Sequence, residues 1–206
     1  MRILDLFAGT GSATKAFEDA GHEVIRVELM DKFNAHEKDV LGLSADYLKE
    51  KYGEFDFIWA SPPCTTFSVA SCFIYWNRDG SVKDERVYHG IAMVKKAIEL
   101  IRELQPSKGW VIENPRGMLR KQDFMQPLPR TTITYCQYGD FRMKPTDLWH
   151  YVPGWKPRPM CKPGANCHEN SPRGTNTGNQ RLSREQRSMI PYSLGQEILE
   201  VLTNGK

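Results

Sequence analysis

The chain has 206 residues, of which 40% are hydrophobic and 26% are charged, and its mean hydropathy is −0.54. This length supports one substantial hydrophobic core, and no apolar run approaches the roughly 18 to 20 residues of a membrane-spanning helix, which excludes a membrane protein. Asp5 interrupts the apolar start, so we do not expect a secretory signal. The five cysteines are an odd number and widely spaced, which is typical of reduced thiols in a cytoplasmic protein.

The net charge of +3 is unevenly distributed along the chain. Residues 142–187 carry nine basic and three acidic side chains, a net charge of +6, which leaves −3 for the remainder. Such asymmetry is typical of a protein that meets a polyanion through one basic segment. A solvated loop without a partner is the alternative.

Apolar periodicity predicts strands that alternate with helices over the first two thirds of the chain. The longest helix is indicated by apolar residues that recur every three or four positions from Val87 to Leu104, before Pro106. This alternation predicts a doubly wound α/β sheet that binds ligands at the carboxyl ends of its strands. The predicted strands are 2–7, 22–29, 55–60 and 110–113, and the predicted helices are 13–20, 44–53 and 87–104.

The last third of the chain follows a different pattern. Residues 131–138 and 144–149 predict a late pair of strands, after which no apolar face can be drawn up to Gln180. A helix is predicted to resume near Ser183, which forms a capping-box pattern with Gln186. We therefore predict a main domain over 1–150, a short basic loop-rich insert over 151–180 and a C-terminal helical segment over 181–206 that packs back on the main domain.

A glycine loop follows the first predicted strand, in the run Asp5-Leu6-Phe7-Ala8-Gly9-Thr10-Gly11. Positions without a side chain allow a ligand to contact the backbone near the start of the next helix. Glu28 ends the second strand, at about the interval where an acid accepts hydrogen bonds from ribose hydroxyls. The loop is too short for a Walker motif and lacks its lysine. These features predict a nucleoside-containing ligand without a triphosphate.

Two further strands end in residues that could carry chemistry. The third is followed by Ser61-Pro62-Pro63-Cys64, and the fourth ends in Glu113-Asn114. A cysteine in such a turn is commonly an inert buried thiol, and a carboxylate there could simply cap a loop. Their position at the ligand-binding edge instead favours a nucleophile with a carboxyl group beside it.

Taken in order, these three sites resemble the motifs of the DNA cytosine-C5 methyltransferases, and the chain is most similar to the short methylases of bacteriophages. The matching residues are Asp5 to Gly11, Pro63-Cys64 with Phe67-Ser68, and Glu113-Asn114. The resemblance implies a Rossmann-like methyltransferase fold that uses S-adenosyl-L-methionine and acts in the cytoplasm of a prokaryote or of an infected host. It also implies that the insert is a reduced target-recognition region.

The resemblance assigns roles to individual residues. Cys64 would add to C6 of cytosine, which activates C5 for methyl transfer, and Glu113 would hydrogen-bond N3 and the exocyclic amine. Asn114 would fix the loop, and Arg142 or Lys144 would lie near O2. In duplex DNA the target cytosine must be flipped out. The implied cofactor-binding residues are Asp5, Phe7, Ala8, Gly9, Thr10, Gly11, Glu28, Leu29, Asp46 and Pro62.

Three other functions stay open. The RNA branch of the C5 family shares the nucleophile and the Glu-Asn pair. Amino (N4 or N6) methyltransferases also carry a Pro-Pro motif, although an aromatic ring stands where this chain has Cys64. The third alternative is a cofactor-binding subunit that needs a partner chain for target recognition, because few residues follow the late strands.

The insert contains a possible metal motif, Cys161-Lys-Pro-Gly-Ala-Asn-Cys167-His168. The spacing is not that of a Cys-x-x-Cys pair, adjacent cysteine and histidine side chains point apart in most backbones, and only Cys136 suggests itself as a fourth ligand. We therefore expect no metal and predict that the insert lies on the DNA backbone. The predicted phosphate contacts are Arg158, Lys162, Arg173 and Arg181.

Overall fold

The structure is a computed structural model that describes residues 1–169 and 182–204. A six-stranded sheet forms its centre, with the strand order β2-β1-β3-β4-β6-β5. The strands are β1 (Arg2–Leu6), β2 (Glu23–Val27), β3 (Phe57–Ala60), β4 (Gly109–Pro115), β5 (Arg130–Thr134) and β6 (Pro145–Tyr151). The α-helices in the described ranges are α1 (Lys15–Asp19), α2 (Ala45–Tyr52), α3 (Cys72–Tyr75), α4 (Arg86–Leu104), α5 (Arg184–Ser188) and α6 (Tyr192–Asn204).

The first four strands are parallel, whereas β6 runs antiparallel to both β4 and β5. Leu6 pairs with Ala60, and Ala60 pairs with Ile112, so the carboxyl ends of β1, β3 and β4 meet at one edge. The predicted α/β sheet is therefore confirmed, and the three motifs that follow these strands share that edge.

Two apolar layers cover the two faces of the sheet. Side chains alternate along β1, so that Ile3 and Leu4 enter different layers. One layer joins the sheet to α2 and α4, and the other joins it to α1 and α6. Helix α6 approaches α1 closely at Gly195, where a Cβ would lie 2.7 Å from the carbonyl oxygen of Ala13. The doubly wound arrangement follows from helices on both faces.

The late strands differ from the prediction. Strand β5 stops at Thr134, and residues Tyr135–Tyr138 form a 3-10 turn instead of continuing the predicted strand to 138. Thr134 pairs with Pro145, which has no amide hydrogen to extend the ladder. Gly139 then ends the turn with a left-handed φ of 86°.

One further element, β2, departs from the prediction in a smaller way, and the start of α5 agrees with it. Strand β2 ends at Val27, so Glu28 and Leu29 lie just beyond it. The predicted capping box of Ser183 and Gln186 is present at the start of α5. Across residues 1–169 and 182–204, no helix combines the length and the apolar character needed to cross a membrane.

Candidate active site

The loop after β1 contains three left-handed backbone positions. Phe7, Gly9 and Gly11 have φ angles of 61°, 51° and 71°, and the Gly11 amide donates to the carbonyl of Ala8 at 2.8 Å. A Cβ at Gly11 would lie 2.8 Å from Nε of Arg26, so a larger residue would collide there. A Cβ at Gly9 would meet nothing within 4 Å. The loop is therefore closely packed against Arg26 at Gly11 and leaves open space beside Gly9.

Asp5 lies completely buried beneath this loop. Its Oδ2 accepts a hydrogen bond from the Thr14 hydroxyl at 2.6 Å, whereas its Oδ1 has no hydrogen-bond partner in the described part of the chain. Burial raises the pKa of Asp5 to about 7, against the opposing effects of Thr14 and Arg26. Asp5 Oδ1 is therefore a buried hydrogen-bond acceptor for which the described residues supply no donor.

Glu28 connects the glycine loop to the end of β2. Its Oε2 accepts from the Gly9 amide at 2.9 Å, and its Oε1 accepts from the Met30 amide at 3.1 Å. Beside it the Leu29 side chain is 70% exposed. Asp46 is exposed in the first turn of α2, two residues after the N-cap Ser44. This edge therefore combines a carboxylate, open backbone and an exposed apolar side chain.

The Pro-Cys loop after β3 is held from the end of β4. Asn114 is fully buried, and its Nδ2 donates to the carbonyl of Pro62 at 2.9 Å. The carbonyl of Cys64 accepts from the amides of Phe67 and Ser68 at 3.0 and 2.9 Å, which forms a tight turn after the cysteine. The Asn114 side chain therefore connects the end of β4 to the Pro-Cys loop.

Three ionisable groups act on one another at this edge: Cys64, Glu113 and Lys144. Burial and the negative charge of Glu113 raise the pKa of Cys64, and Lys144 and Arg184 oppose this rise. Burial also raises the pKa of Glu113, which Lys144 and a Tyr135 hydrogen bond oppose. Burial lowers the pKa of Lys144, although Glu113 and Cys64 favour its charged form. A partly exposed thiol thus shares its surroundings with a buried carboxyl group and an ammonium group.

The turn after β5 positions two of these groups. The Tyr135 hydroxyl donates to Oε1 of Glu113 at 2.7 Å, and both residues are buried. Nζ of Lys144 lies 4.4 Å from the centre of the Tyr135 ring and donates to the carbonyl of Arg187 at 3.0 Å. Tyr135 is a positioning residue that the sequence did not reveal, because it lay within a predicted strand.

Arg142 is engaged inside the molecule rather than presented to a base. Its buried guanidinium pairs with both carboxylate oxygens of Asp140, and its NH1 donates to the carbonyls of Gln186 and Arg187 at 3.2 Å. These carbonyls belong to α5, so Arg142 ties the loop after β5 to that helix. Lys144, the other residue expected near O2 of cytosine, also donates to the carbonyl of Arg187. Arg184, at the start of α5, is a second charge near Cys64 that the sequence analysis did not select.

The predicted phosphate contacts of the insert are only partly described. Arg158 is partnered within the chain, since its Nε donates to Glu197 at 2.6 Å and its NH1 donates to the carbonyl of Gln137 at 2.7 Å. Lys162 is exposed. Arg173 and Arg181 lie outside the described residues. Lys162 is thus the described member of this set that presents its charge most openly.

Comparison with protein families matches residues 1–128 to the family described as C-5 cytosine-specific DNA methylase. A probable DNA (cytosine-5)-methyltransferase of frog virus 3 (isolate Goorha) is 36% identical over 189 residues, which cover 88% of this chain and 84% of the relative. An orphan methyltransferase of Bacillus phage SPR is 28% identical over 130 residues, 58% of this chain and 27% of the relative.

Among solved structures, the Dnmt2 methyltransferase of S. pombe is similar with a TM-score of 0.53 and 14% identity. The similarity covers 77% of this chain and 52% of that chain, so the present sequence spans about half the length of that protein. At this identity the similarity establishes the methyltransferase fold.

Proposed function

Because the chain belongs to the C-5 cytosine-specific DNA methylase family, we propose that it methylates C5 of cytosine in DNA through a covalent bond between Cys64 and C6. The methyl donor is S-adenosylmethionine. The observation that carries the proposal is the placement of a thiol and a buried carboxyl group at one edge of the sheet. Cys64 follows β3, Glu113 lies near the end of the neighbouring strand β4, and Nδ2 of Asn114 donates to the carbonyl of Pro62 at 2.9 Å. An amino methyltransferase has no use for a nucleophilic thiol at this position.

The residues at the ends of β1 and β2 fit S-adenosylmethionine. Asp5 has a buried carboxyl oxygen without a partner among the described residues, and the space beside Gly9 is open. Each carboxylate oxygen of Glu28 accepts one amide and has a second lone pair for a ribose hydroxyl. The exposed Leu29 offers an apolar surface to an adenine ring. When bound, the cofactor supplies a methyl group on a sulfonium centre.

Cys64 provides the nucleophile in this mechanism. The thiol gives its proton to water and the resulting thiolate adds to C6 of cytosine. The electron pair of the C5–C6 double bond moves through the ring toward N3 as the sulfur–carbon bond forms. Glu113, in its protonated form, gives its proton to N3, which leaves an enamine whose C5 is nucleophilic. Because an ionised Glu113 raises the pKa of Cys64, a protonated Glu113 favours the thiolate. The two groups therefore hold compatible proton states.

Lys144 and Tyr135 complete the arrangement. Lys144 opposes the rise in the pKa of Cys64, and its positive charge stabilises negative charge that develops on the ring. Tyr135 occupies Oε1 of Glu113, so that Oε2 is the oxygen directed to the base. After transfer, water removes the proton from C5, the bond between sulfur and C6 breaks, and Glu113 recovers its proton from N3.

The wider assignments follow from the same proposal. Residues 1–150 form the catalytic domain, 151–180 the reduced target-recognition region, and 181–206 a C-terminal segment; the packing of α6 on α1 supports the last of these. The target cytosine is flipped out of duplex DNA, and the protein acts in a prokaryotic or infected cytoplasm. If the insert reads DNA too weakly, a partner chain supplies recognition.

A covalent trapping experiment tests the reaction. DNA that contains 5-fluorocytosine is incubated with the full chain and S-adenosylmethionine; because fluorine at C5 cannot leave as a proton, the adduct persists. We expect a complex that survives denaturation, requires the cofactor and maps to Cys64. The Cys64→Ser variant must lose it, whereas Cys72→Ser, a thiol outside the site, must retain it.

Two outcomes contradict the proposal in different ways. If the chain is trapped on 5-fluorocytosine RNA but not on DNA of the same sequence, its substrate is RNA and the covalent mechanism still holds. Methyl groups recovered on N4 of cytosine, with turnover retained in Cys64→Ser, identify an amino methyltransferase and refute the covalent step.

A further inference from the structure

Four potential metal ligands meet away from the candidate active site: Cys136, Cys161, Cys167 and His168. Their ligand atoms all lie within 4.8 Å of one another. Sγ of Cys136 is 3.1 Å from Sγ of Cys161 and 3.7 Å from that of Cys167. Nδ1 of His168 is 3.6 Å from Sγ of Cys161 and 3.5 Å from Sγ of Cys167. We call these four residues the cysteine-histidine cluster.

A tetrahedron around zinc has six edges, and four of them can be compared with the distances above; the other two pairs, Cys136 with His168 and Cys161 with Cys167, lie within 4.8 Å. Bonds of about 2.3 Å to sulfur and about 2.0 to 2.1 Å to nitrogen place two sulfurs about 3.8 Å apart, and sulfur and nitrogen about 3.6 Å apart. Three of the four distances above match these values within about 0.1 Å. The Cys136–Cys161 separation of 3.1 Å is shorter, yet it exceeds the roughly 2.0 Å of a disulfide bond.

We propose that the cysteine-histidine cluster binds one structural zinc ion. Three cysteine sulfurs and an imidazole favour zinc, which such ligands bind tetrahedrally, over the hard, oxygen-seeking cations. All four positions are filled by protein atoms, which leaves none for a reactive water and indicates a structural rather than a catalytic site. The proposal does not depend on the methyl transfer proposed above.

The geometry revises the expectation from the sequence. Adjacent Cys167 and His168 were expected to point apart, but their ligand atoms lie 3.5 Å from each other. The chain reverses between them and Cys161: Gly164 has a φ of 85°, and the Ala165 amide donates to the carbonyl of Lys162. Cys136, which was only a candidate fourth ligand, is brought in by the 3-10 turn after β5.

The insert lacks the packing that would otherwise order this turn. Between residues 153 and 169, Trp155 is the one buried side chain, and no regular helix or strand is present. Segments with so little core are commonly stabilised by a metal, since binding energy replaces apolar burial. Nε2 of Gln137 donates to Sγ of Cys167 at 3.4 Å, and such a donor orients a ligand sulfur.

The zinc ion would connect the insert, through Cys161, Cys167 and His168, to the turn that contains Tyr135 and Cys136. Cys136 is the next residue after Tyr135, whose hydroxyl holds Glu113. The zinc site therefore joins the described part of the predicted recognition insert to the catalytic edge. Loss of the metal is expected to loosen the insert first and to leave the glycine loop, at the other side of β3, unaffected.

Metal content of the full chain is the primary test. The chain is produced without a histidine tag in zinc-supplemented medium, purified without chelators and measured by elemental mass spectrometry. We expect about one zinc per chain, and replacement by Co²⁺ should give thiolate-to-cobalt charge transfer with tetrahedral absorption bands. Cys161→Ser and His168→Ala should lose most of the metal, whereas the control Cys72→Ser should keep it.

Two further measurements keep the test decisive if these variants fold poorly. His168→Cys should retain zinc, because four thiolates also form a tetrahedral site. Removal of zinc from the wild-type chain should lower its Tm by about 5 °C or more, with recovery on adding zinc, and leave the affinity for S-adenosylmethionine unchanged.

Three results would overturn the proposal. The first is a folded wild-type chain that contains no zinc and takes up no Co²⁺. The second is full zinc content in the double variant of Cys161→Ser and Cys167→Ser, which would locate the metal elsewhere. The third is a count of three rather than five free thiols in the denatured, metal-free chain, since this would show a disulfide in place of the site.

Discussion

Tyr135→Phe isolates one hydroxyl at the centre of the candidate active site. The Tyr135 side chain is fully buried, and its hydroxyl donates to Oε1 of Glu113 at 2.7 Å. Phenylalanine fills the same space without the donor. The substitution therefore tests whether this hydrogen bond sets the proton affinity and the orientation of Glu113.

The expected magnitude follows from the loss of a donor to a buried carboxylate. Such a loss costs about 1–3 kcal/mol, and each kcal/mol lowers Tm by about 2–4 °C in a domain of this size, so we expect a fall of about 2–12 °C. The hydrogen bond opposes the burial-driven rise in the pKa of Glu113, so its removal raises this pKa further. Misorientation of Glu113 should reduce kcat by about 5- to 30-fold.

The pH dependence has a defined sign. The pKa of Glu113 in the folded chain already lies above its ordinary value of 4.5, so ionisation costs stability as the pH rises from 4.5 through the folded pKa. In the variant the folded pKa is higher, and the loss extends to higher pH. Because Glu113 acts in its protonated form, the alkaline limb of the kcat profile should move in the same direction.

Steady-state methyl transfer across pH, together with thermal unfolding at the same pH values, provides the assay. Tyr138→Phe is the matched control, because its hydroxyl accepts from the Arg158 amide at 2.9 Å and is not bonded to Glu113. The control should lose stability but keep the wild-type pH profile. An alkaline limb that is unchanged in Tyr135→Phe, or that moves to lower pH, refutes the reasoning.

Three further predictions concern the nucleophile, the cofactor and the insert. Cys64→Ser should reduce methyl transfer at least about 1,000-fold while S-adenosylmethionine affinity, measured by calorimetry, changes less than about twofold, since an alcohol is a far weaker nucleophile than a thiolate; substantial turnover would contradict this. Glu28→Ala should weaken cofactor binding about tenfold or more, a loss of about 1.4 kcal/mol, because the loop amide and the ribose lose one acceptor. The control Glu23→Ala removes only an exposed pair with Arg2 and should bind normally; equal effects would exclude the assignment of Glu28. Replacement of four basic residues by alanine should weaken DNA binding for all sequences and flatten its salt dependence without changing cofactor affinity, with an unchanged salt slope as the contrary result. These four are Arg158, Lys162, Arg173 and Arg181.

The sequence by itself determined the sheet and the edge at which the chemistry is expected. Apolar runs marked the four parallel strands, and the carboxyl ends of neighbouring parallel strands necessarily meet at one edge. The glycine loop, the Pro-Cys motif and the Glu-Asn pair each follow such a strand directly. Local sequence was therefore enough to predict that Cys64 and Glu113 share one edge of the sheet, and the ligand role of Glu28 stays a prediction.

Only the tertiary structure decided which side chains surround those groups. The strand predicted over 131–138 ends before Tyr135, where Thr134 pairs with Pro145, and a 3-10 turn follows. This turn places the Tyr135 hydroxyl against Glu113 and the thiol of Cys136 against Cys161 of the insert. Arg142 and Lys144 looked equivalent in sequence, and both donate to the carbonyl of Arg187. The guanidinium of Arg142 also pairs with Asp140, whereas Nζ of Lys144 lies over the Tyr135 ring.

Local sequence patterns did not predict the cysteine-histidine cluster either, because its members come together only in the tertiary structure. Cys136 and Cys161 are 25 positions apart, and no periodicity links a turn after β5 to a loop without a core. Such contacts depend on where the antiparallel pairing of β5 and β6 ends and on the left-handed turn at Gly164. Strand ends are encoded locally, whereas the meeting of irregular segments is a property of the packed chain.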